Sequence, residues 1–423
     1  MSRNSVRRGS ILLGVVLPLL IVAPGHAVAG PSGAAPTAGP EVLAKPHIPN
    51  WQRGAATTVR QPAADGKRCA TAAGSTAADS RIICVQPAPA GKAVPRHAPG
   101  ALVTMPLWCA DSDGGVPVSG ARTAACRIWG LLLTTTVITN GVPRLTGELN
   151  MNVFDYTYGA VDLPNWGHQI GVAPYTGWGD ALRASVSGTS SVAGDCTVSG
   201  AASFRPQPLS PLNGVMRQGE SYALTTAVAP GAIGYCTTTW NLTFTTPGYP
   251  PAGTTSSMSE VSCDNAIGAN GFRPARVGCV VPWFPAAKTY FRSTHPTLAD
   301  HVARAQASGL PGATFANPLN RNVDQATIDT NRRLACGDAP SISGRSCDEY
   351  PLASTYQGLA FGGTRRTFTG CNINAPTGVT GPTGASACMI VATENNSQGG
   401  LMAAFYYDQR VLGTDPYRIL VAP

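Results

Sequence analysis

Two short segments near the C-terminus concentrate side chains that could hold a cation and activate water. The first reads SCDEYP and contains Asp348 and Glu349, and the second reads TENNSQG and contains Glu394 and Asn395. Only 22 of the 423 residues are acidic, so two such groups in one part of the chain need an explanation. Carboxylate and amide oxygens are the ligands that hard divalent cations prefer. These residue types suggest metal-assisted hydrolysis of a phosphodiester.

A hydrolytic site of this kind also needs a general base and groups that contact the phosphate. No histidine follows His301, so a base in this part of the chain has to be a carboxylate, and Asp348 is the first candidate. The candidates for phosphate contacts are Arg365, Arg366 and Arg410. A guanidinium group can bind phosphate oxygens through two parallel hydrogen bonds.

A structural role explains the same residues. Asp and Glu are favoured at the start of a helix, where they accept hydrogen bonds from free backbone N–H groups and face the positive end of the helix dipole. Residue types alone favour this interpretation for both segments. His295 and His301 lie six residues apart, which is not a metal-binding spacing on a helix. They are interpreted as surface or capping residues, although either could line a cleft.

The elements that would position these segments are predicted to form an α+β domain with a small sheet. Apolar periodicity, capping residues and helix-ending Gly and Pro support this prediction. The predicted helices are at 296–306, 322–334, 351–357 and 398–411, and the predicted strand is at 387–391. Glu394 and Asn395 would then lie in a loop between the strand and the last helix.

Residues 101–250 have a different pattern, with short β-branched or alternating runs separated by turn signals such as Asn-Gly. The predicted strands are at 101–107, 131–139, 147–156, 183–192, 221–227 and 237–244. Short strands at fairly regular spacing predict an all-β sandwich or barrel. A linker at 247–253 is predicted to separate this domain from a C-terminal domain at 259–423, whose core is 336–423.

The N-terminus has the features of a secretory signal peptide over residues 1–29: a basic start, a short apolar run and small residues before the cleavage point. Residues 30–65 are rich in Ala, Gly and Pro and are predicted to be a disordered leader. Residues 66–100 are predicted to form a disulfide-stapled strap or linker. No later stretch reaches the roughly 18 apolar residues of a membrane span, so we expect a secreted protein without a membrane anchor.

Twelve cysteines follow the predicted signal peptide, and an even number in a secreted chain predicts a disulfide framework. No Cys-x-x-Cys pair occurs, which argues against a structural zinc site. The predicted connectivity joins neighbours in sequence. The predicted pairs are Cys69–Cys84, Cys109–Cys126, Cys196–Cys236, Cys263–Cys279, Cys336–Cys347 and Cys371–Cys388.

The formal net charge of +8 includes three arginines of the predicted signal peptide, which leaves about +5 for the mature chain. A mildly basic chain is compatible with a polyanionic substrate. This charge is lower than expected for a dedicated nucleic-acid binder, in which phosphate contacts dominate the affinity.

The two C-terminal segments, in their order and approximate spacing, resemble the NucA/NucB family of secreted bacterial deoxyribonucleases. The resemblance covers about residues 336–423 and rests on the Asp-Glu-aromatic-Pro motif at 348–351 and the acid-Asn segment at 394–399, which ends in Gly. It implies a fold similar to the ββα-metal nucleases, in which a base on a strand and a metal ligand on a helix meet at one cation. Asn396 departs from the pattern, because some members carry arginine there, so one phosphate contact would be missing.

By motif, the resemblance implies that Asp348 is the general base and Glu394 the metal ligand, with Glu349 and Asn395 in supporting roles. It implies Mg²⁺ or Mn²⁺ as the cofactor and DNA as the substrate. The expected function is therefore that of a secreted, metal-dependent, non-specific endonuclease with a β-rich region of unassigned role. Two alternatives stay open: a secreted binding or adhesive protein with a degenerate nuclease-like tail, and a toxin-type nuclease that has an inhibitor protein.

Overall fold

The computed structural model describes five stretches of the chain. They are residues 68–73, 80–91, 119–258, 260–266 and 275–423. The predicted signal peptide at 1–29, the predicted leader at 30–65 and the predicted strand at 101–107 lie outside these residues. All described residues belong to one compact unit, so the β-rich region and the C-terminal elements are parts of one body.

The β-rich region consists of two large antiparallel sheets. Its strands are β1 Arg68–Ala73, β2 Ser80–Ala88, β3 Ser119–Ala121, β4 Ala124–Thr139, β5 Val142–Gly159, β6 Asn165–Gly179, β7 Ser185–Gly194, β8 Cys196–Ser199, β9 Ser203–Pro208, β10 Arg217–Thr225, β11 Ile233–Thr245, β12 Ala252–Ser257, β13 Val261–Asp264 and β14 Gly278–Val280. The first sheet has the order β1-β2-β4-β5-β6-β10-β8, with β3 paired to β4. The second has the order β14-β13-β11-β7-β9, with β12 paired to β11. An apolar core contributed by both sheets lies between them, and the all-β prediction for this region is confirmed.

Strand β11 shows how the sequence pattern builds this core. Successive side chains of a strand point to opposite faces of the sheet. Trp240, Leu242 and Phe244 are buried in the core, while Asn241 and Thr243 between them are exposed. Burying each large apolar side chain contributes about 2 kcal/mol, which favours this register over one shifted by a single residue.

The C-terminal part combines helices with two three-stranded sheets. Its elements are β15 Ala286–Phe291, α1 Pro296–Ala307, β16 Leu319–Asn320, α2 Gln325–Cys336, β17 Arg345–Tyr350, β18 Thr364–Arg366, β19 Gly384–Val391, α3 Ala392–Asp408 and β20 Pro416–Ala422. One sheet has the order β15-β20-β16 and the other β17-β19-β18. Helices α1 and α3 pack with both sheets around a shared apolar core. Within the described ranges, no helix has the length and apolar character needed to cross a bilayer.

Several predicted boundaries differ from the structure. The helices predicted at 296–306 and 322–334 are confirmed as α1 and α2. Helix α3 starts six residues before the predicted position of 398 and follows β19 directly, so Glu394 and Asn395 lie in its first turn instead of in a loop.

Two further predictions are wrong. Residues 351–357 do not form a helix; the segment is irregular, and the Thr355 backbone forms an isolated bridge with Arg321. The predicted linker at 247–253 lies inside the β-rich region, because β12 begins at Ala252 and the second sheet continues to Val280. The sheet therefore passes the boundary expected at residue 250.

Five of the predicted disulfides are confirmed. They are Cys69–Cys84, Cys196–Cys236, Cys263–Cys279, Cys336–Cys347 and Cys371–Cys388. Cys126 is also disulfide-bonded, and its predicted partner Cys109 lies outside the described residues. The last two confirmed bridges tie α2 to β17 and the segment before β19 to β19, so they brace the sheet that contains Asp348 and Glu349.

Arg410 joins the end of helix α3 to the β-rich region. Its Nε and Nη2 atoms donate to the two carboxylate oxygens of Asp264 at 2.8 and 2.7 Å, and both side chains are fully buried. Its Nη1 donates to the carbonyl of Val161 at 2.9 Å. Arg410 has a φ of 47°, in the left-handed region that favours glycine, at a cost of about 1 kcal/mol. These buried contacts offset that cost.

Arg122 makes the reciprocal connection from the β-rich region. It lies in the turn between β3 and β4, and its Nη2 donates to Asp415 Oδ2 at 2.6 Å and to the carbonyl of Arg410 at 2.5 Å. Its Nε donates to the carbonyl of Gln409 at 2.8 Å. A cation at the C-terminal end of a helix satisfies free carbonyls and interacts favourably with the helix dipole. The β-rich region therefore caps helix α3.

Replacing Arg410 by Met should lower the free energy of unfolding by about 3–5 kcal/mol, because Asp264 would keep a buried charge without its partner. Adding Asp264→Leu should recover part of the loss, since no buried charge then remains. Urea unfolding of the single and double variants measures both effects. Arg183→Met, which removes an exposed pair with Asp180, is the matched control and should change stability by less than about 1 kcal/mol. Equal stability of Arg410→Met and the parent protein would contradict this account.

Candidate active site

Strand β17 places the two adjacent carboxylates on opposite faces of its sheet. Asp348 is paired with Cys388 of β19, and Glu349 with Ala387. Because side chains alternate along a strand, Asp348 faces helix α1 whereas Glu349 faces away from it. The two carboxylates therefore have different surroundings and cannot share one role.

The carboxylate of Asp348 belongs to a buried polar network. Its Oδ2 lies 2.6 Å from Nδ1 of His301 on helix α1, and Nε2 of that histidine lies 3.0 Å from Oγ of Ser386 on β19. All three residues are at most 1% exposed. The order Asp-His-Ser is that of a hydrolytic triad, but Ser386 is inaccessible and its hydroxyl donates to the carbonyl of Tyr350 at 3.2 Å. This network ties α1 to the sheet.

Glu349 opens into a groove of about 690 Å³. Helices α2 and α3 and the segments that follow β16 and β17 form most of its wall, and Ile233 of the β-rich region adds to it. The polar side chains that line the groove are Arg321, Gln325, Arg332, Glu349, Ser354, Gln398, Tyr406 and Tyr407. Glu349 is partly exposed, and its Oε1 accepts a long hydrogen bond of 3.3 Å from the backbone N–H of Ala353.

The surroundings of Glu349 raise its pKa to about 8. Burial is the largest cause, because it disfavours the charged form, and the negative charge of Asp348 adds to it. The N–H of Ala353 and the charge of Arg332 act in the opposite direction. A carboxyl group with a pKa in this range can exchange a proton near neutral pH, which an ordinary glutamate does not do.

Glu394 and Asn395 are engaged in structural contacts. Oε2 of Glu394 accepts hydrogen bonds of 2.9 Å from the backbone N–H groups of both Thr297 and Leu298, at the start of α1. Nδ2 of Asn395 donates to Oγ of Ser346 and to the carbonyl of Cys347, both at 2.9 Å. Helix α1 has no side-chain cap of its own, so Glu394 supplies one from helix α3.

The predicted metal ligands also hold the scaffold together, through Oε2 of Glu394 and Nδ2 of Asn395. The carboxylate of Glu394 already accepts two backbone N–H groups, and the amide of Asn395 holds β17. Among the residues that the structure describes, no group of three or more His, Cys, Asp or Glu side chains could hold a metal ion. A cation bound by Glu394 would share this carboxylate with the cap of α1, which uses Oε2.

The three arginines predicted to contact phosphate do not line the groove. Arg365 forms a two-bond pair with Asp338 at 2.9 and 2.5 Å. Arg366 is 1% exposed and donates to backbone carbonyls, including that of Thr383 at 2.6 Å. Arg410 is fully buried against the β-rich region. Their positions give no support to the predicted contacts, and Arg410 is instead part of the scaffold.

Sequence reasoning missed the residues that do line the groove. Arg321 and Arg332 stand in no recognisable motif, and only the packing of the elements brings them to the groove. Gln398 lies inside the segment at 394–399, of which only Glu394 and Asn395 were candidates. The burial of His301 could have been predicted, because its spacing from Leu298, Val302 and Ala305 places it on the apolar face of α1. A histidine on a buried helix face needs a polar partner.

Replacing Glu394 by Ala should lower the free energy of unfolding by about 1–2 kcal/mol, because two N–H groups of α1 lose their acceptor. Glu394→Gln should lower the free energy of unfolding by less, since an amide oxygen can still accept hydrogen bonds from these N–H groups. Asp329→Ala, which removes an exposed carboxylate of α2, is the control in the same urea titration. Unchanged stability of Glu394→Ala, together with a shifted Mg²⁺ dependence of DNA nicking, would contradict this assignment and restore the predicted metal role.

Comparison with known proteins identifies the family of the C-terminal part. Residues 313–420 match the family described as Deoxyribonuclease NucA/NucB. The match includes β17, β19 and α3, and with them Glu349 and Gln398. No curated protein matches the chain, and no solved structure matches it.

Proposed function

Since residues 313–420 form a NucA/NucB deoxyribonuclease domain, we propose that the protein hydrolyses phosphodiester bonds of DNA in the groove that contains Glu349. The family supports a deoxyribonuclease. The single observation that carries the location is that Glu349 opens into this groove with a pKa near 8. Asp348 of the same motif is buried against His301.

In this proposal Glu349, not Asp348, is the general base. A base must reach the water that it deprotonates, and a pKa close to the working pH suits proton transfer. Glu349 meets both conditions, whereas the carboxylate of Asp348 lies 2.6 Å from His301 and is 1% exposed. Asp348 then has a positioning role, because it holds β17 against α1 and its charge helps to raise the pKa of Glu349.

Two arginines of the groove are proposed to attract and hold the DNA backbone. The guanidinium group of Arg321 lies 4.3 Å from the ring centroid of Tyr406 and donates to the carbonyl of Val411, which fixes its position. Arg332 is more exposed and pairs with Asp329 at 3.3 Å. Positive charge in a groove raises the local concentration of a polyanion and stabilises negative charge on a phosphate.

The proposed reaction is attack of water on phosphorus. Glu349 takes a proton from the water as the water oxygen forms a bond to phosphorus. The bond from phosphorus to the leaving oxygen of the DNA backbone breaks, and the leaving oxygen takes a proton from solvent. The groove arginines stabilise the charge on the phosphate oxygens. A divalent cation, Mg²⁺ or Mn²⁺, is expected from the family resemblance and would add to this stabilisation when bound.

The order of elements supports the proposed likeness to ββα-metal nucleases. Strands β17 and β19 are antiparallel neighbours, and α3 follows β19 directly. Helix α3 contacts β17 through the two hydrogen bonds of Asn395. The intervening residues, which include β18, are an insertion relative to a simple hairpin.

Secretion is part of the same proposal. The disulfides among the described residues support an oxidising compartment, because such bonds are rare in reducing ones. The predicted signal peptide at 1–29 agrees with this, although it lies outside the described residues. DNA outside the cell would then be the substrate.

Incubation of the purified protein with supercoiled plasmid, with and without EDTA, tests the proposed activity. We expect nicking that EDTA stops and that added Mg²⁺ or Mn²⁺ restores, and a parallel assay on RNA defines the substrate class. Cleavage that persists in EDTA would contradict the cation requirement alone. No cleavage under any of these conditions would contradict the enzyme assignment and favour the binding or adhesive alternative.

The rate of nicking should rise with pH through about 8, because a general base acts only when deprotonated and the pKa of Glu349 is about 8.

The raised pKa of Glu349 also predicts that the stability of the protein depends on pH. In the folded protein Glu349 keeps its proton up to about pH 8, whereas in the unfolded chain it releases it near the ordinary value of 4.5. The stability that comes from the protonated Glu349 is therefore fully present below pH 4.5 and is lost as the pH rises through 8. Relative to Glu349→Gln, the parent protein should lose about 1.4 kcal/mol per pH unit inside that window. Parallel stability curves for the two proteins would contradict the shifted pKa.

A further inference from the structure

The groove that contains Glu349 follows one face of helix α3. The residues of α3 that line it recur at 398–399, 402–403 and 406–407, a spacing that keeps them on the same side of the helix. At about 1.5 Å per residue this face is about 13 Å long. The volume of about 690 Å³ lies in the range of sites that hold whole small molecules. The groove therefore has room for a nucleotide and not only for the phosphate that is cleaved.

The segment that carries Glu349 runs beside this face. Near the start of α3, Nδ2 of Asn395 donates to the carbonyl of Cys347 on β17. Near its end, the hydroxyl of Tyr406 lies 3.1 Å from that of Ser354. The segment from Glu349 to Ser354 therefore follows α3 towards its C-terminal end, and the groove leads from Glu349 in that direction.

Two exposed apolar side chains line the groove at the C-terminal end of α3. Ile233 of β11 is 46% exposed, and Val323, just before α2, is 56% exposed. Ile233 is paired in its sheet with Asp264, the partner of Arg410. Val323 lies against Gly413, where an added Cβ would be 3.2 Å from its Cγ2 atom. Ile233 and Val323, the apolar end of the groove, thus lie where the β-rich region meets the helix end.

The apolar end lies in a groove that also carries positive charge. Single exposed apolar side chains are common on protein surfaces, but two in the wall of one polar groove indicate a ligand with an apolar part. Arg321, which is held against the ring of Tyr406, lines the same groove. A nucleotide joins an anionic phosphate to a base whose faces stack on apolar and aromatic side chains. The groove therefore complements both parts of a nucleotide.

We propose that the apolar end of the groove binds the base of a nucleotide next to the phosphodiester that is cleaved. This inference rests on the proposed function and names its substrate class, which is single-stranded or locally unpaired DNA. In a duplex each base is covered by its neighbours in the stack, so it must leave the helix before it can reach a groove wall. The β-rich region, through Ile233, then takes part in selecting the substrate.

Cleavage of an end-labelled single strand with one abasic residue, read at every linkage on a denaturing gel, tests this inference. The parent protein should cut the linkage on one fixed side of the abasic residue about 5- to 10-fold more slowly than in the intact strand, because no base binds there. It should cut the single strand at least about tenfold faster than the same strand in a duplex. Combining Ile233→Thr with Val323→Thr should abolish the abasic effect, since threonine keeps the branched shape but replaces apolar surface by a hydroxyl.

Val142→Thr is the matched control, because Val142 is 67% exposed at the start of β5 and does not line the groove. It should distinguish the two strands as the parent protein does. The urea midpoints of the control and of the double variant should agree, since all three side chains are exposed. A lower midpoint in the double variant alone would overturn the inference, because the apolar end would then serve packing within the protein.

The other outcomes are equally definite. Equal cleavage of the abasic and intact strands by the parent protein, or equal rates on single strand and duplex, overturns the inference. A double variant that keeps the abasic effect also overturns it. So does a parent dimer that dissociates in the double variant on size-exclusion chromatography, because a second copy would then cover the apolar end.

Glu349→Gln in the same assay tests the proposed function separately. If that variant is inactive while the abasic residue makes no difference to the parent protein, only this inference fails. If the parent protein cleaves no DNA, or if Glu349→Gln is fully active, the proposed function fails.

Discussion

The arrangement of the groove depends on the buried arginine pairs at the end of helix α3. Arg410 leaves the helix in a left-handed conformation and reaches Asp264 of the β-rich region, while Arg122 returns from that region to the last carbonyls of the helix and to Asp415. Burying a charge is costly unless it is paired and hydrogen-bonded, so these contacts admit very few relative positions. The β-rich region thereby fixes the helix on which the candidate site is built.

The other end of helix α3 is fixed as firmly. Glu394 caps α1, and the backbone N–H of Val391, just before α3, donates to the hydroxyl of Thr297 at 3.1 Å. Asn395 adds the contact to β17. Because helix α3 is held at both ends, its residues that line the groove keep their position relative to β17 and Glu349. Groups used in catalysis gain from such preorganisation, because no free energy is then spent on moving them during the reaction.

Much of this architecture could be predicted from the sequence, and what could not has a common cause. The pairing of cysteines close in sequence and the strand pattern of β11 are local, so they were predictable. The motif that contains Asp348 and Glu349 was also identified correctly as part of a NucA/NucB domain. The side of the sheet that each carboxylate faces depends on where α1 packs, and no local pattern specifies that.

Long-range partners changed the interpretation of the other candidates. Glu394 stands at a helix start, as an acidic residue often does, but the helix that it caps begins near Thr297, far away in sequence. Arg410 has the chemistry of a phosphate-binding residue, and only the fold brings it to Asp264. Arg321 and Arg332 lie in no motif and become candidates through the groove alone. The sequence thus predicted the kinds of chemical group at the site, and tertiary packing decided which residue has which role.

Exchanging each of the two adjacent carboxylates for its amide, and measuring plasmid nicking and urea unfolding on the same preparations, tests the central claim most directly. The account predicts that Glu349→Gln is at least as stable as the parent protein at pH 7 and loses about 10²- to 10⁴-fold in nicking rate. It predicts that Asp348→Asn loses about 1–3 kcal/mol of stability through its contact with His301, while its folded fraction still nicks DNA. A stable but inactive Asp348→Asn beside an active Glu349→Gln would contradict it.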